Sequence, residues 1–351
     1  MKNEFIIMGL DIGGANTDCC IYRIKDNKAT LINSAKEYLP MWEKKDQLEE
    51  CLHNFKKDYR IDVVIATTTA ELADGYTSKK EGVFDITSKV MNVFKDSIVK
   101  FVTFNGLKDF KYVKNNPLDA AAANWIATSH MISKISSDCI FMDMGTTTTD
   151  IIPIKNSIES ARGHSDLERL CSGELVYTGM LRTNVATITN KIPIRDEKAT
   201  VSSELFSTTA DVHHILGNIK EEEYTCSTSD NEDTSIDSCK RRLARVICAD
   251  LDMLTDEEIN NIARHVEKEQ INQITNALKK VHEHSKLDDV IITNYADAPI
   301  CKKAACNLGL NITSLNDYLT GDSLNVSPTI GCVQMYIDEI CMDIQLLNSV
   351  G

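Results

Sequence analysis

No apolar run approaches the ~18 residues that a membrane-spanning helix needs, so no transmembrane segment and no membrane partner are expected. Nor is there an excess of basic residues. The 38 Lys and Arg stand against 52 Asp and Glu, and a formal net charge of −14 argues against a nucleic-acid binder or an anionic membrane surface. A local basic pocket for a phosphorylated small molecule stays open. No C-x-x-C pair occurs among the 12 Cys, and their spacing shows no disulfide framework. Cys139, Cys248, Cys332 and Cys341 lie in apolar runs and read as reduced, buried thiols, which points to a reducing cytoplasm. His213-His214 and His282-x-His284 have no partner cluster and read as exposed helix residues rather than zinc ligands. The polar lead Lys2–Glu4 and the apolar run Phe5–Met8 are too short for a signal peptide.

What is present is an ordinary globular composition, 42% hydrophobic and 26% charged over 351 residues, enough for two domains. Two segments stand out, Asp11-Ile-Gly-Gly-Ala-Asn-Thr-Asp18 and Asp143-Met-Gly-Thr-Thr-Thr-Thr-Asp150. In each, a strand ends in an acid followed at once by Gly and small hydroxyl or amide residues. Glycine lets backbone N–H groups come close to an anion, and consecutive N–H groups in a tight turn form an anion-binding nest. Gly13, Gly14, Asn16 and Thr17, with Gly145, Thr146, Thr147 and Thr148, are therefore candidate phosphate ligands. Asp11 and Asp143 are candidates to hold Mg²⁺ or Mn²⁺ against the phosphates. One copy would be weak evidence; two predict a pair of related lobes facing a phosphate chain.

Strands are expected at 5–11, 17–25 and 29–38, then a helix from Trp42 to Tyr59, a strand at Val63–Ala66, a helix at Glu81–Lys95 and a strand at Ile98–Phe104. Asn116-Pro117 has the N-cap and first-turn chemistry to open an Ala-rich helix running to Ile135. Cys139–Met144 and Ile151–Ile154 restart the same programme. Helices are expected at Asp166–Cys171, Glu204–Leu216, Lys240–Leu254 and Asp256–His284, a strand at Asp289–Thr293 and a closing helix at Ile330–Leu347. Glu221–Asp237, acidic and without apolar periodicity, reads as a mobile loop. The fold class expected is α/β, with lobes at 1–136 and 137–351 and the closing helix available to return to the first. The long helix at 256–284 is a candidate for packing between subunits of a homo-oligomer.

These residues resemble the actin–sugar kinase–Hsp70 superfamily, whose two ribonuclease H-like lobes carry mixed sheets around a central cleft. Within it the chain is most similar to the hydantoinase A/oxoprolinase-like branch, and there to a small archaeal and methylotroph family of methanofuran biosynthesis. The likeness runs over about residues 5–255, through Ala66-Thr-Thr-Thr-Ala-Glu-Leu-Ala-Asp74, Ala121-Ala-Ala-Asn-Trp125, Ser172-Gly-Glu-Leu-Val-Tyr-Thr-Gly-Met-Leu-Arg-Thr183 and Arg241-Arg-Leu-Ala-Arg245. It implies a condensation of 5-(aminomethyl)-3-furanmethanol diphosphate with γ-glutamyltyramine, forming a phenoxymethyl furan ether and diphosphate with no organic cofactor. Arg162, Arg169 and Arg182 are then candidates to bind phosphate or the γ-glutamyl carboxylates. Glu71 and Glu174 are candidates for the substrate amine or the phenol proton, and Asp150 for a base.

Two other readings compete. One is an ATP-dependent small-molecule kinase or hydrolase. Superfamily ATPases carry a Gly-Gly turn after a late strand, where adenosine sits, and Ile291–Ala298 contains no glycine. The other is a ligand-sensing regulator, which would need a DNA-binding module that neither the short lead nor the acidity supplies.

Overall fold

The computed structural model describes residues 4–294, 299–315, 327–344 and 346. They fall into two compact units. One takes the residues up to 138, with 154–160 and the segment from 315 onward; the other takes 139–153 and 161–314.

In the first unit β1 (Glu4–Ile12), β2 (Asn16–Lys25) and β3 (Lys28–Tyr38) form an antiparallel meander. β4 (Val63–Thr68) lies parallel to β1, β5 (Ile98–Thr103) is parallel to β4, and β6 (Gly106–Lys108) closes the edge. The order is β3-β2-β1-β4-β5-β6. Because β1 is covered on both faces, it reads as a continuous apolar run rather than an alternation. Helices Leu48–Lys56 and Lys79–Val93 supply Leu48, Leu52, Val83, Ile86 and Val90 to the core on one face. Helix Ser327–Glu339 packs on β1 and on helix Asn124–Ile132. Two glycines permit that packing. A Cβ on Gly9 would stand 2.1 Å from the Thr329 carbonyl oxygen, and one on Gly331 would stand 2.0 Å from that of Ala127.

The second unit repeats the plan. β7 (Cys139–Met144) neighbours β8 (Thr149–Lys155), which continues into a hairpin with β9 (Ile158–Glu159). The two-residue β10 (Leu175–Val176) pairs with the start of β8. β11 (Lys191–Ile194) and β12 (Glu197–Thr200) make a separate hairpin. β13 (Asp289–Asn294) and β14 (Asn311–Ser314) add in parallel beyond β7, giving β10-β8-β7-β13-β14. An antiparallel meander of three with two parallel strands beyond its first is the ribonuclease H-like arrangement, here built twice. The fold is therefore the α/β actin–sugar kinase–Hsp70 type. Under the second sheet runs the 30-residue helix Asp256–Ser285, opened by a Thr255–Glu258 capping box. Its Ile274, Leu278 and Val281 pack with Ile140, Met142, Met144 and Ile151.

Several expected elements differ. The helix expected at 42–59 is broken into Met41–Lys44, a 3-10 turn at Lys45–Gln47 and Leu48–Lys56. The Ala-rich helix at 116–135 is interrupted. Pro117–Ala120 is a 3-10 turn, Ala122 has φ +50, a value closed to a continuing helix, and the α-helix starts only at Asn124. The helix expected at 204–216 spans Thr209–Ile215, where Thr208 and Asp211 form a capping box. The one expected at 240–254 is Ile236–Arg245, with Cys248 at φ +57 soon after. The loop 221–237, expected to be mobile, is pinned. Arg242, fully buried, pairs with Asp211 at 2.8 Å and Asp230 at 3.1 Å, and the Tyr224 hydroxyl donates to Asp211 at 2.9 Å. Cys248 and Cys341 are exposed, and His213 and His214 are buried, all four against expectation. The closing helix expected at 330–347 spans Ser327–Glu339, and residues 340–344 after it are turn and coil. Tyr295–Ala298, where the missing glycine turn was noted, lies outside the described residues. Among the described residues no helix is long and apolar enough to cross a membrane.

Candidate active site

The two phosphate-type turns superimpose in their chemistry, residue by residue. In the first, the Gly13 N–H donates to the Asn16 carbonyl at 2.9 Å; in the second, the Gly145 N–H donates to the Thr148 carbonyl at 2.9 Å. The burial pattern from 11 to 18 is identical to that from 143 to 150, with the four turn residues half-buried in each. Each turn is also held from its flank. Leu39 and Met41 N–H groups bind the Ala15 and Gly14 carbonyls at 3.0 and 2.8 Å, while Met180 and Leu181 bind those of Gly145 and Thr146, each at 3.0 Å. The carbonyls are thereby turned inward. Among the described residues the N–H groups of Gly14, Ala15, Thr146 and Thr147 make no hydrogen bond to the protein. A Cβ on Gly13 would crowd the Asn16 oxygen at 2.9 Å, whereas one on Gly14 would meet nothing within 4 Å. Gly13 closes the turn, and Gly14 leaves room for an approaching group.

The acids repeat too. Asp11 lies opposite Asp18 across the β1–β2 pair and beside Thr67 of parallel β4; Asp143 lies beside Thr293 of parallel β13. The Thr293 hydroxyl donates to the Asp143 carboxylate. Burial pushes Asp143 up to about 6, with Asp150 adding to the rise and the Thr293 hydrogen bond opposing it. Burial likewise raises Asp18, partly offset by Lys36 at 3.4 Å. A half-buried carboxylate whose charge is costly is suited to a hard divalent cation. The donor set fits Mg²⁺ or Mn²⁺. Among the described residues no group of three or more His, Cys, Asp or Glu is placed to hold a metal, so a cation here would draw its remaining ligands from phosphate and water.

The other expected residues divide. Asp150 forms an ion pair with Arg169, whose guanidinium is almost fully buried and donates also to the Glu174 carbonyl at 3.1 Å. The Glu174 carboxylate accepts the Arg162 and Gly163 N–H groups at 2.6 and 2.9 Å and the Ser172 hydroxyl at 2.7 Å. Arg182 is exposed, and its N–H donates to the Thr146 carbonyl at 3.0 Å. Thr17 is fully buried. Glu71, also buried, lies 3.8 Å from Lys79 just after β4, with Gly82 packed on its backbone. Arg162 and Glu174 line a cavity whose walls do not include Asp143.

Sequence reasoning missed three contributors. Thr69 is tied by its N–H to the Ile12 carbonyl at 3.0 Å, and its hydroxyl lies 3.7 Å from where a Gly13 Cβ would be. Thr293 is the second. Thr69 follows, and Thr293 lies near the end of, a strand parallel to an acid-bearing one, so the signal was Thr at a strand end. Gln270 is the third. Fully buried, it donates to the Thr178 hydroxyl at 3.0 Å and the Gly179 carbonyl at 2.9 Å, and His213 meets it at 2.9 Å. Burial pulls His213 down to about 4, so it stays neutral there. Gly179 in turn presses on the second turn, where a Cβ would stand 2.5 Å from the Thr147 nitrogen.

Arg169→Met is expected to lower stability by about 3 kcal/mol, because it strands the Asp150 charge. Adding Asp150→Asn should recover most of that loss in urea unfolding. A double variant no more stable than the single would remove the pair from the account.

The chain matches the hydantoinase/oxoprolinase family over residues 62–315. It is 40% identical over 295 residues, 84% of this chain and 87% of the relative, to the (4-{4-[2-(gamma-L-glutamylamino)ethyl]phenoxymethyl}furan-2-yl)methanamine synthase of Methanocaldococcus jannaschii. The protein of the same name from Methanococcus vannielii is 37% identical over 199 residues, covering 56% of this chain and 89% of that relative. Among solved structures, nucleotide-free acetone carboxylase shares the fold at TM-score 0.58 and 10% identity, over 94% of this chain and 70% of that one. This chain belongs to the hydantoinase/oxoprolinase family, in the group that holds these two archaeal synthases.

Proposed function

We propose that this protein makes the same furan ether, condensing 5-(aminomethyl)-3-furanmethanol diphosphate with γ-glutamyltyramine in a furanylmethyl transfer. The observation that carries the reading is 40% identity to such a synthase across 84% of the chain. The duplicated turns support it, since each offers unused N–H donors beside an acid. In the reaction the methylene–oxygen bond to diphosphate breaks with its electron pair leaving on diphosphate. The phenol oxygen bonds the methylene carbon, and the phenol proton is lost. The furan ring can delocalise positive charge on that carbon, so what remains for the protein is to hold the leaving group, place the phenol and exclude water.

Gly14, Ala15, Thr146 and Thr147 would donate N–H bonds to diphosphate oxygens, with Asn16 and the hydroxyls of Thr146, Thr147 and Thr148 adding donors. Asp11 and Asp143 would hold Mg²⁺ or Mn²⁺, which supplies charge neutralisation to the departing diphosphate. Asp150, held by Arg169, would keep a negative charge beside Asp143 and so favour the cation.

The test is ligand stabilisation with Mg²⁺ present. A ligand that binds only the folded state adds RT ln(1 + [L]/Kd), about 2.7 kcal/mol at 100 times Kd. Diphosphate should stabilise the protein, and a non-hydrolysable ATP analogue should not. Stabilisation by the ATP analogue alone would replace this reading with the kinase or hydrolase. The shift should also depend on pH. Asp143 is raised to about 6, so the metal-free fold gains stability as pH falls through that value and the carboxylate takes a proton. The cation needs that carboxylate ionised. The Mg²⁺–diphosphate shift should therefore be full at pH 7.5 and shrink towards pH 5; an equal shift at both would remove Asp143 from the cation's ligands.

A further inference from the structure

The second phosphate-type turn rests on a peptide that a buried side chain grips from behind. The N–H of the Gly179–Met180 peptide donates to the Gly145 carbonyl at 3.0 Å, and its carbonyl accepts from the Gln270 side-chain amide and the Thr209 hydroxyl, each at 2.9 Å. A peptide is planar, so fixing the carbonyl at one end fixes the direction of the N–H at the other. The next two N–H groups, of Leu181 and Arg182, both reach the Thr146 carbonyl at 3.0 Å. Gly179 sits this close because it has no side chain, since a Cβ would stand 2.6 Å from the Thr146 carbonyl carbon and 2.5 Å from the Thr147 nitrogen.

The direction of the hydrogen bonds behind this peptide follows from one acceptor. The Asn218 side chain donates an N–H to the Glu267 carboxylate at 2.8 Å, so the same nitrogen gives its other N–H to His213 Nδ1 at 3.0 Å. His213 then carries its proton on Nε2 and donates to the Gln270 side-chain oxygen at 2.9 Å. That leaves both Gln270 N–H groups for the Thr178 hydroxyl and the Gly179 carbonyl. Every side-chain donor from Asn218 to Gln270 is used, and bonds in such a chain polarise one another.

Packing alone does not call for an amide at this position. The buried residues around Gln270 on helix Asp256–Ser285 are Val266, Ile271, Ile274 and Ala277, all apolar. A Leu or Met would fill the same space without the cost of burying a polar group. The first turn is supported differently. There the Met41 N–H holds the Gly14 carbonyl, and the Pro40 carbonyl behind it takes the Glu43 and Lys44 N–H groups at 3.0 and 2.8 Å, backbone to backbone.

We propose that Gln270 is a positioning residue for the bound diphosphate. By gripping the Gly179 carbonyl it keeps the Gly145 and Thr146 carbonyls turned inward and the Thr146 and Thr147 N–H groups aimed at the ligand. The identity of that ligand rests on the proposed reaction; the hold on the turn rests on the geometry alone. Gln270→Met keeps the volume and removes both donors. Thr209→Val removes the other donor to the same carbonyl and serves where the first variant does not fold. Val266→Ala, one turn away on the same helix but in the core cluster of Val185 and Leu243, is the control for lost stability.

In the ligand-free full chain, amide hydrogen exchange over 143–150 and 179–182 should be faster than in wild type for the first two variants and unchanged for the control. With Mg²⁺ present, calorimetry should show diphosphate binding Gln270→Met about tenfold more weakly, the worth of one well-placed hydrogen bond, and the control as wild type. In turnover, KM for the furan diphosphate should rise while KM for γ-glutamyltyramine stays unchanged. Exchange in the turn that matches wild type, or faster exchange with undiminished diphosphate affinity, overturns the inference. Diphosphate that does not bind even the wild type overturns the proposed reaction and this inference with it, whereas a result confined to wild type against variant concerns Gln270 alone.

Discussion

Asp143→Asn should lower kcat by at least about 100-fold and leave the ligand-free protein as stable as before, or more so. The two effects have one cause. Asp143 is raised to about 6, so its ionised form at pH 7.5 costs the fold up to about 3 kcal/mol relative to an ordinary carboxylate. Asparagine removes that cost and keeps the shape and an oxygen for the Thr293 hydroxyl. It also removes the charge proposed to hold the cation. Asp11→Asn should lose activity by a similar factor, because Asp11 takes the matching position at the end of β1. Steady-state turnover and thermal unfolding at pH 7.5 decide the matter. Unchanged turnover in both variants ends the metal assignment; a large loss of stability with the loss of activity would make the acids structural.

Gly331→Ala is the larger expected effect on stability, about 3 kcal/mol or more. One methyl group would stand 2.0 Å from the Ala127 carbonyl oxygen and 2.4 Å from its carbon. Backbone cannot swing aside as a flexible side chain does, so helices Asn124–Ile132 and Ser327–Glu339 would have to move apart. Overpacking of this kind typically costs about 1–3 kcal/mol, and clash with backbone lies at or beyond the upper end. Denaturant unfolding measures it. Gly14→Ala, which meets nothing within 4 Å, is the control and should change stability little. A Gly331→Ala protein as stable as the control would mean the two helices are less closely packed than described.

The strands and the turns were legible because their signals are local. An acid, then Gly, then small polar residues, placed at the end of an apolar run, can be read from eight consecutive positions. Strand order could be expected only from the repetition of the programme; the shared order in both sheets bears the fold out. Helix ends were less legible. The Ala-rich stretch has strong helix propensity, yet Ala122 takes φ +50 and breaks it, a tertiary demand that no window of sequence contains. The acidic loop 221–237 looked mobile because its partner, Arg242, lies on the helix that follows, and burial of an arginine among aspartates is invisible to composition. His213 was misjudged for a similar reason. Its burial depends on Gln270, 57 residues on. The pairing of Asp150 with Arg169 spans 19 residues and the β8–β9 hairpin, and only the fold brings them together.

The helix Ser327–Glu339 has a consequence for how the protein is made. Strand β1, made well before that helix, has Gly9 shaped to receive the Thr329 backbone. The helix Asn124–Ile132 reaches β4 and β5, but β1 waits for this cover until helix Ser327–Glu339 is synthesised more than 300 residues later. Among the described residues the strands of the second unit end at Ser314, before that helix begins. Synthesis and folding therefore run in opposite order for the two halves: the sheet begun first is finished last, and until then its bare apolar strand is the part of the nascent chain that most needs shielding.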